Sequence, residues 1–394
     1  MELIKPGINI DFVGKSKLAF LISGLLILAT FISLFVHGGP NYGIDFTGGI
    51  LVQVRFKEPT DPASIRKALK PVGMSDAVIQ DFGNKGNEFL IRAEKKGLKL
   101  EGLSDRIRQV LAKAYPKGYE VRRVEMVGPK VGKDLRRKAL LAIFYALLMI
   151  AVYISGRFEQ KWGLAAVLVG VTLLVQGIIG GGSITPLIII ALVVTLLACW
   201  VLRLRYALGA IVALIHDVII TVGVFSLLNK EFTLATVAAL LTIIGYSLND
   251  TIIVFDRIRE NLKKGGKLPL AKVINDAVNQ TLSRTILTSG TTLVVLVSLY
   301  LLGGGVIEDF AFALLVGVVV GTYSSIYVAS PILLALPEGK PGLAKKIVPP
   351  PKKAAPQPAP APQAAGQAPK VSKAKAAAAK QRKKKSKKRN KKRR

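Results

Sequence analysis

An aspartate lies inside one of the long apolar segments of this chain. Residues 240–262, LLTIIGYSLNDTIIVFDRIRENL, begin as an apolar helix, carry Asn249 and Asp250 within the apolar run, and end in a cluster of charged residues. Even on a lenient insertion scale, an Asp near the centre of a membrane helix costs about 3 kcal/mol. Such a residue therefore faces a protein interior and is usually functional. The segment predicts a membrane helix whose acid is surrounded by the other helices of the chain.

The composition is that of an integral membrane protein with one polar insertion. Of the 394 residues, 51% are hydrophobic, and the apolar runs of about 20 residues match the hydrocarbon core of a bilayer, which is roughly 30 Å thick. The single cysteine, Cys199, has no partner within the chain, which excludes an internal disulfide and a Cys-based metal site. The chain has only two histidines, which argues against a His-based metal site. Nucleophile triads, P-loops and zinc-ligand spacings are absent, so we predict a protein that is not an enzyme and needs no cofactor.

We predict an α-helical polytopic membrane protein with eight transmembrane helices. Residues 1–17 form a cytoplasmic N-terminus, residues 37–135 a soluble domain, and residues 136–336 most of the bundle. The first span is long and has no small-x-small cleavage site after it, so we expect it to remain uncleaved. The predicted spans are 18–36, 136–155, 162–179, 187–202, 206–228, 232–255, 285–302 and 310–336.

Lys and Arg mark one side of the membrane at every short loop. The loops near Arg157 and Arg203 and the loop 257–284 are basic, whereas loop 180–186 is uncharged and loop 303–309 carries only acids. Positive loops stay in the cytoplasm. We therefore expect both termini to be cytoplasmic and residues 37–135 to lie outside the cytoplasm.

Residues 37–135 read as one small α+β domain. The turn-rich NYGIDFTGG (41–49) is followed by alternating apolar residues that predict a strand, and Asp61 with Pro62 predicts a helix start. The remaining segments predict two strands, a helix and a final strand. The order β-α-β-β-α-β is typical of a ferredoxin-like domain of about 80 residues.

Two other places in the apolar segments carry candidate chemistry. Arg284 shares a helical face with Thr288 and Thr292, and it is either a cation that pairs with Asp250 or an anchor that reaches the cytoplasmic surface. His216 and Asp217 lie midway along another span, where they form either a proton relay or a fixed structural pair. Asp250 itself has a structural alternative, as a buried acid that only stabilises helix packing.

The C-terminal tail differs from the rest of the chain in its high positive charge. The net charge of the whole chain is +32. Residues 340–394 hold 20 of the 56 Lys and Arg residues and no acid, so this tail supplies most of that charge. From residue 337 the chain has almost nothing to bury, so we expect disorder. Anionic lipid and ribosomal RNA are the candidate partners, and a solvated tail without a partner is the alternative.

Five motifs resemble one family. They are NYGIDFTGG (41–49), ALIHD (213–217), GYSLNDTIIVFDRIREN (245–261), LSRTILTSGTT (282–292) and GTYSSIYVASP (321–331). Together they resemble the SecF family of accessory subunits of the bacterial Sec protein translocase, within the RND-like superfamily. The similarity extends over most of residues 8–335.

The resemblance implies a protein of the bacterial inner membrane that pairs with SecD and the SecYEG channel. Such a subunit uses the proton-motive force to help secreted chains complete their passage. YajC and YidC are further implied partners, and unfolded secretory polypeptide is the implied ligand of the extracytoplasmic domain. The family's functional acid and arginine fall on Asp250, which follows Asn249, and on Arg284. Its His-Asp pair falls on His216 and Asp217.

The chain departs from the family pattern at one internal site. In the family the second and third spans follow each other directly, whereas about 44 residues, roughly 161–204, intervene here. The segments KWGLAAVL and RYALGAIV are weakly alike, which leaves a partial duplication open. We predict that this extra hairpin is peripheral and does not lie between Asp250 and Arg284.

The residues suggest a mechanism and two rivals. In the favoured hypothesis, protonation of Asp250 weakens its pairing with Arg284, the last three spans shift, and the external domain holds emerging polypeptide. The first rival is a proton-coupled, RND-like secondary transporter of a small molecule, which would need a second transport half. The second is a scaffold or ribosome-docking protein that works through the basic tail.

Overall fold

The computed structural model describes residues 8–335, apart from 82–85, 94–101, 164–165, 168, 171–173, 175–183 and 265–267. The predicted basic tail therefore lies outside the described residues. The described part is a helical bundle that carries one four-stranded sheet. Its helices are α1 (Ser16–Val36), α2 (Ile44–Thr47), α3 (Pro62–Leu69), α4 (Leu103–Ala114), α5 (Pro129–Glu159), α6 (Ile184–Val201), α7 (Arg205–Leu227), α8 (Leu234–Lys264), α9 (Leu270–Leu302), α10 (Gly305–Ser324) and α11 (Ser330–Ala335). A π-helical turn, Ser325–Ala329, joins α10 to α11.

Six helices of the described residues are long and apolar enough to cross a membrane. They are α1, α5, α7, α8, α9 and the continuous helix formed by α10 and α11. Of the extra hairpin, the predicted span 162–179 falls largely outside the described residues. The predicted span 187–202 coincides with α6, whose apolar stretch Ile188–Val201 is shorter than the other six. The chain is therefore a multi-pass membrane protein, and the count of eight remains a prediction.

The predicted order of strands and helices is observed in the polar insertion. Strands β1 (Gly49–Phe56), β2 (Val78–Asp81), β3 (Glu88–Ala93) and β4 (Tyr119–Val127) form an antiparallel sheet in the order β2-β3-β1-β4, with α3 and α4 between them in sequence. Alternate residues of β1 point into a core shared with the two helices, where Ile50 and Val54 are fully buried. The opposite face of the sheet is turned away from these helices.

The predicted start of α3 is confirmed at Asp61. The Asp61 side chain accepts a hydrogen bond of 2.9 Å from the backbone N–H of Ser64, and Pro62 occupies the first turn. The hydrogen bonds from the hydroxyl and the backbone of Ser64 lower the pKa of the Asp61 carboxyl. An Asp at this position satisfies one of the free N–H groups of the first turn.

Helix α9 extends well beyond its predicted span, 285–302. The segment predicted as a polar loop before residue 285 forms the first turns of α9, which begins at Leu270. Val273, Ile274, Ala277 and Val278 of these turns are buried in the main core of the bundle. The apolar face at spacing i, i+1, i+4, i+5 explains the helix, and the Lys-rich composition of the segment concealed it from the span prediction.

The two ends of the extra segment lie next to each other in the folded protein. Oε1 of Glu159, the last residue of α5, accepts a hydrogen bond of 3.1 Å from the backbone N–H of Tyr206 in the first turn of α7. Nearby, Nζ of Lys161 donates to the carbonyl oxygen of Leu202 at 3.1 Å. Helix α6 packs on α5 and α7, and it exposes apolar side chains such as Leu197. The described part of the hairpin is therefore peripheral.

We expect the protein to fold without this hairpin. Replacing residues 160–204 with Gly-Ser-Gly keeps Glu159 beside the first turn of α7 and removes a helix that packs on only one side of the bundle. The variant should remain monodisperse in detergent and lose less than about 2 kcal/mol of stability, since the core between α5 and α7 stays in place. Size-exclusion chromatography and a thermal melt measure both properties. Aggregation of the variant would show that the hairpin is part of the folding core.

Candidate functional site

His216 and Asp217 form the centre of a buried hydrogen-bond network in α7. Nδ1 of His216 lies 2.9 Å from Oδ1 of Asp217, and its Nε2 lies 3.0 Å from the hydroxyl of Ser23 on α1. Oδ2 of Asp217 accepts hydrogen bonds from Ser247 on α8 at 2.6 Å and from Ser324 on α10 at 2.9 Å. The pair therefore connects four membrane helices, and its two members face different neighbours.

The network continues to Tyr323 on α10. Its hydroxyl lies 3.0 Å from the Ser23 hydroxyl and donates to the carbonyl oxygen of Ala19 at 2.6 Å. The ring of Tyr323 stacks on the imidazole of His216, with centroids 6.0 Å apart. The side chain of Asp217 is only 1% exposed, and both of its carboxylate oxygens are engaged. Because both carboxylate oxygens of Asp217 are already hydrogen-bonded, the arrangement favours a fixed structural pair of His216 and Asp217 over a proton relay.

Small residues let α8 and α10 approach closely enough for these bonds. A Cβ added to Gly321 would lie 2.9 Å from Cβ of Ser247, and one added to Gly317 would lie 2.2 Å from Cδ1 of Ile243. Gly317 and Gly321 are four residues apart on α10, and this small-xxx-small spacing is typical of close helix packing in membranes. The approach brings Ser247 and Ser324 within reach of the same carboxylate oxygen.

Asp250 is buried with far fewer partners. The residue is 2% exposed, three positions after Ser247 on α8. Its Oδ2 lies 3.5 Å from the Ser289 hydroxyl of α9, a long contact, and that hydroxyl is also 2.7 Å from Thr322 Oγ1 on α10. One turn before Ser289, the buried Thr285 hydroxyl has no hydrogen-bond partner among the described residues. Asp250 thus lies at a polar contact between α8, α9 and α10 that is incompletely hydrogen-bonded among the described residues.

Among the described residues, neither Arg284 nor Asn249 forms a hydrogen bond or a direct ion pair with Asp250. Both residues are on the exposed side of their helices. In the described part of the chain, Asp250 and Arg284 form no ion pair, whereas Arg157 pairs with Asp256 at 2.7 Å. In this conformation the two described residues therefore form no direct ion pair.

Sequence reasoning missed the hydroxyl groups that surround the two acids. Ser23, Ser247, Ser289, Thr322 and Ser324 all lie within apolar helices, where a serine or threonine can always satisfy itself on its own helix. Their identity alone therefore gave no signal. The sequence analysis also missed Glu159, a carboxyl group at the end of a membrane span that accepts a hydrogen bond from the backbone of Tyr206. In the part of the chain that the structure describes, no group of three or more potential ligands is arranged to hold a metal ion.

Comparison with known proteins identifies the family. A family model described as protein export membrane protein SecD/SecF, C-terminal, matches residues 107–184 and 181–339, and one for the SecD/SecF GG motif matches residues 32–60. The protein translocase subunit SecF of Magnetococcus marinus is 44% identical over 354 residues, which cover 88% of this chain and 97% of that protein. The SecF of Escherichia coli O157:H7 is 38% identical, covering 83% and 87%. This chain belongs to the SecF family.

A solved structure extends the comparison for this SecF-family chain. The crystal structure of SecDF from Thermus thermophilus, described as a translocon-associated membrane protein, matches with a TM-score of 0.61 and 34% identity. The match covers 85% of this chain but only 39% of that longer chain. The two matches to the C-terminal family model meet at residues 181–184, within the predicted extra hairpin. The motif that was predicted to be turn-rich, residues 41–49, lies within the GG-motif match.

Proposed function

We propose that this SecF-family chain is an accessory subunit of the Sec translocase that uses the proton-motive force to assist the export of secretory proteins. The observation that carries the proposal is Asp250, a carboxyl group buried among three membrane helices with one long hydrogen bond. A buried carboxyl with few partners takes up a proton readily, whereas a nearby cation favours the charged form. Asp250 is the proton carrier, and it works without a cofactor.

The energy available at one such acid is sufficient to shift a conformational equilibrium. One charge that crosses a potential of 100 mV is worth about 2.3 kcal/mol, and each pH unit adds about 1.36 kcal/mol. The first contribution alone changes a two-state equilibrium by about fiftyfold. Protonation weakens the attraction of Asp250 for Arg284, which approaches it in one of the two states, and the last three spans shift in response.

The exposed polar residues of α8 and α9 favour a second membrane subunit. Asn249 and Arg284 lie on the outside of this chain at the depth of apolar helices, where lipid offers them no hydrogen bonds. A partner helix with polar groups would satisfy them. We assign this face to SecD, in line with the SecDF name of the solved structure that this chain matches in part.

The proposal includes the finer architecture. We place residues 1–17 and 337–394 in the cytoplasm, residues 37–135 outside the inner membrane as a ferredoxin-like domain that contacts unfolded polypeptide, and eight spans in all. SecYEG, YajC and YidC are the further translocase partners. The basic tail, which lies outside the described residues, contacts anionic lipid or ribosomal RNA.

Gradient-driven export tests the proposed function. Inner-membrane vesicles that contain SecD and SecYEG but lack this chain should export a secretory protein poorly when a proton gradient is imposed. Adding the full chain should restore the gradient-dependent part, and a protonophore should remove it again. The rival transporter would instead move a small molecule without SecD and would not co-purify with SecD and SecYEG. A scaffold would support export equally well with and without the gradient.

A further inference from the structure

The N-terminal end of α8 is attached to the external domain by non-covalent contacts of both backbone and side chains. Helix α8 follows α7 through the short loop 229–233 and is not directly continuous with any strand of the sheet. The loop lies against residues 41–48, the segment that leads into β1. Phe232 N donates to the carbonyl oxygen of Asn41 at 2.7 Å, and Gly43 N donates to that of Phe232 at 3.0 Å.

Two charged groups strengthen this attachment. Oδ2 of Asp45, in α2, accepts a hydrogen bond of 2.8 Å from the backbone N–H of Leu234, the first residue of α8. A carboxylate at this place compensates the positive end of the helix dipole. Three residues earlier, Oε1 of Glu231 lies 2.7 Å from Nη1 of Arg92 in β3, and the two side chains are only 18% and 10% exposed. Nη2 of Arg92 also donates to Oδ1 of Asn41 at 3.4 Å.

The position of this attachment suits the transmission of movement. The Asp217 network holds α8 near its middle through Ser247, which is one turn from Asp250. Leu234 is 13 residues before Ser247, a distance of about 20 Å along the helix axis. A small tilt of α8 about Ser247 therefore gives a larger displacement at the end that contacts the sheet.

We propose that Arg92 and Glu231 are the coupling pair that passes the movement of α8 to the external domain. Both are positioning residues: they act on the sheet and do not carry the proton. The inference rests on the proposed function, because it takes Asp250 as the source of the movement. The ion pair is suited to this role because it is short and mostly buried. Its arginine belongs to strand β3 and also donates a hydrogen bond to Asn41. Without it, the tilt of α8 would reach the sheet only through the backbone contacts and the Asp45 cap.

A charge exchange tests the coupling pair in the full chain, reconstituted with SecD and SecYEG in proteoliposomes. Arg92→Glu and Glu231→Arg each place like charges together, and each should reduce gradient-dependent export about tenfold, while gradient-independent export stays unchanged. The double variant R92E/E231R restores opposite charges and should recover at least about half of the lost stimulation. If a single variant does not fold, Glu231→Gln keeps the size of the side chain and should give a partial loss.

The matched control is an ion pair of the same domain that does not reach the bundle. Nζ of Lys117 lies 2.9 Å from Oε1 of Glu58, with both side chains exposed. Glu58→Arg should leave gradient-dependent export within about twofold of the unmodified protein.

A second readout follows the movement itself. Spin labels at Ser75 of the external domain and at Leu228 beside the loop, in a Cys199→Ser background, should change their separation when the gradient is imposed. Both positions are exposed. The change should disappear in Glu231→Arg and return in the double variant.

Two results would overturn the coupling pair: full stimulation in both single variants, or a loss that the double variant does not recover. Asp250→Asn is run in parallel. If it too retains gradient-driven export, the proposed function fails with it. If only Asp250→Asn loses the response, the coupling pair alone is wrong.

Discussion

Asp250→Asn is expected to abolish gradient-driven export while leaving the protein folded. Asn keeps the size of the side chain and its weak contact with Ser289, which spans 3.5 Å, but it cannot take up a proton. The stability of the purified protein should change by less than about 1 kcal/mol, because a contact of that length contributes little. At an imposed potential of 100 mV, the loss of one transferred charge removes about 2.3 kcal/mol, or about fiftyfold in the driven equilibrium.

The measurement compares the export of a secretory protein with and without a gradient. Asp256→Asn is the matched control, since Asp256 lies on the same helix and pairs with Arg157 at its surface, with its side chain 45% exposed. The control should keep the gradient response, because it removes a charge from α8 without touching the buried acid. A full response in Asp250→Asn would mean that the energy of the gradient enters elsewhere and that Asp250 serves only helix packing.

Much of the fold follows from the sequence because each element carries its own periodicity. The alternating residues of β1 and the Asp61-Pro62 start of α3 are local signals, and the structure has both. The first turns of α9 were missed because hydropathy windows register charge and not the apolar face that Val273 and Ala277 form. The extra hairpin shows a further limit, since residues that begin and end it, Glu159 and Tyr206, meet only in the folded protein.

The sequence identified the two acids of the candidate site but not the residues that surround them. An acid within an apolar helix is conspicuous, so Asp250 and Asp217 were both found, and Asp250 was favoured as the proton carrier, but the sequence did not show the neighbours of either acid. Their difference depends on neighbours from other helices. Asp217 accepts hydrogen bonds from Ser247 and Ser324 because α8 and α10 pack closely, whereas among the described residues Asp250 has one hydrogen bond, to Ser289. Likewise, the outward direction of Arg284 depends on how α9 is rotated within the bundle.

Substitution of Asp217 is expected to give the opposite result to substitution of Asp250. Asp217→Ala would leave His216, Ser247 and Ser324 without their shared acceptor in a part of the bundle that excludes water. Buried donors without partners cost about 1–3 kcal/mol each, so the loss of stability should be about 3–5 kcal/mol. Asp217→Asn keeps one acceptor oxygen and should lose about half as much, because the hydrogen bonds are no longer assisted by charge.

Unfolding of the purified protein by increasing SDS in mixed micelles measures these losses, and export by the folded Asp217→Asn protein measures the response to the gradient. The folded variant should retain most of its gradient response if Asp217, whose two oxygens are hydrogen-bonded to neighbouring helices, serves as a fixed structural link. The opposite pattern, in which stability is unchanged and the response is lost, would identify His216 and Asp217 as a proton relay. The two acids, 33 positions apart in sequence but joined through Ser247 on α8, would then act in series. If instead the expected pattern is found, the Asp217 network is the fixed point about which α8 tilts, and Asp250 supplies the force.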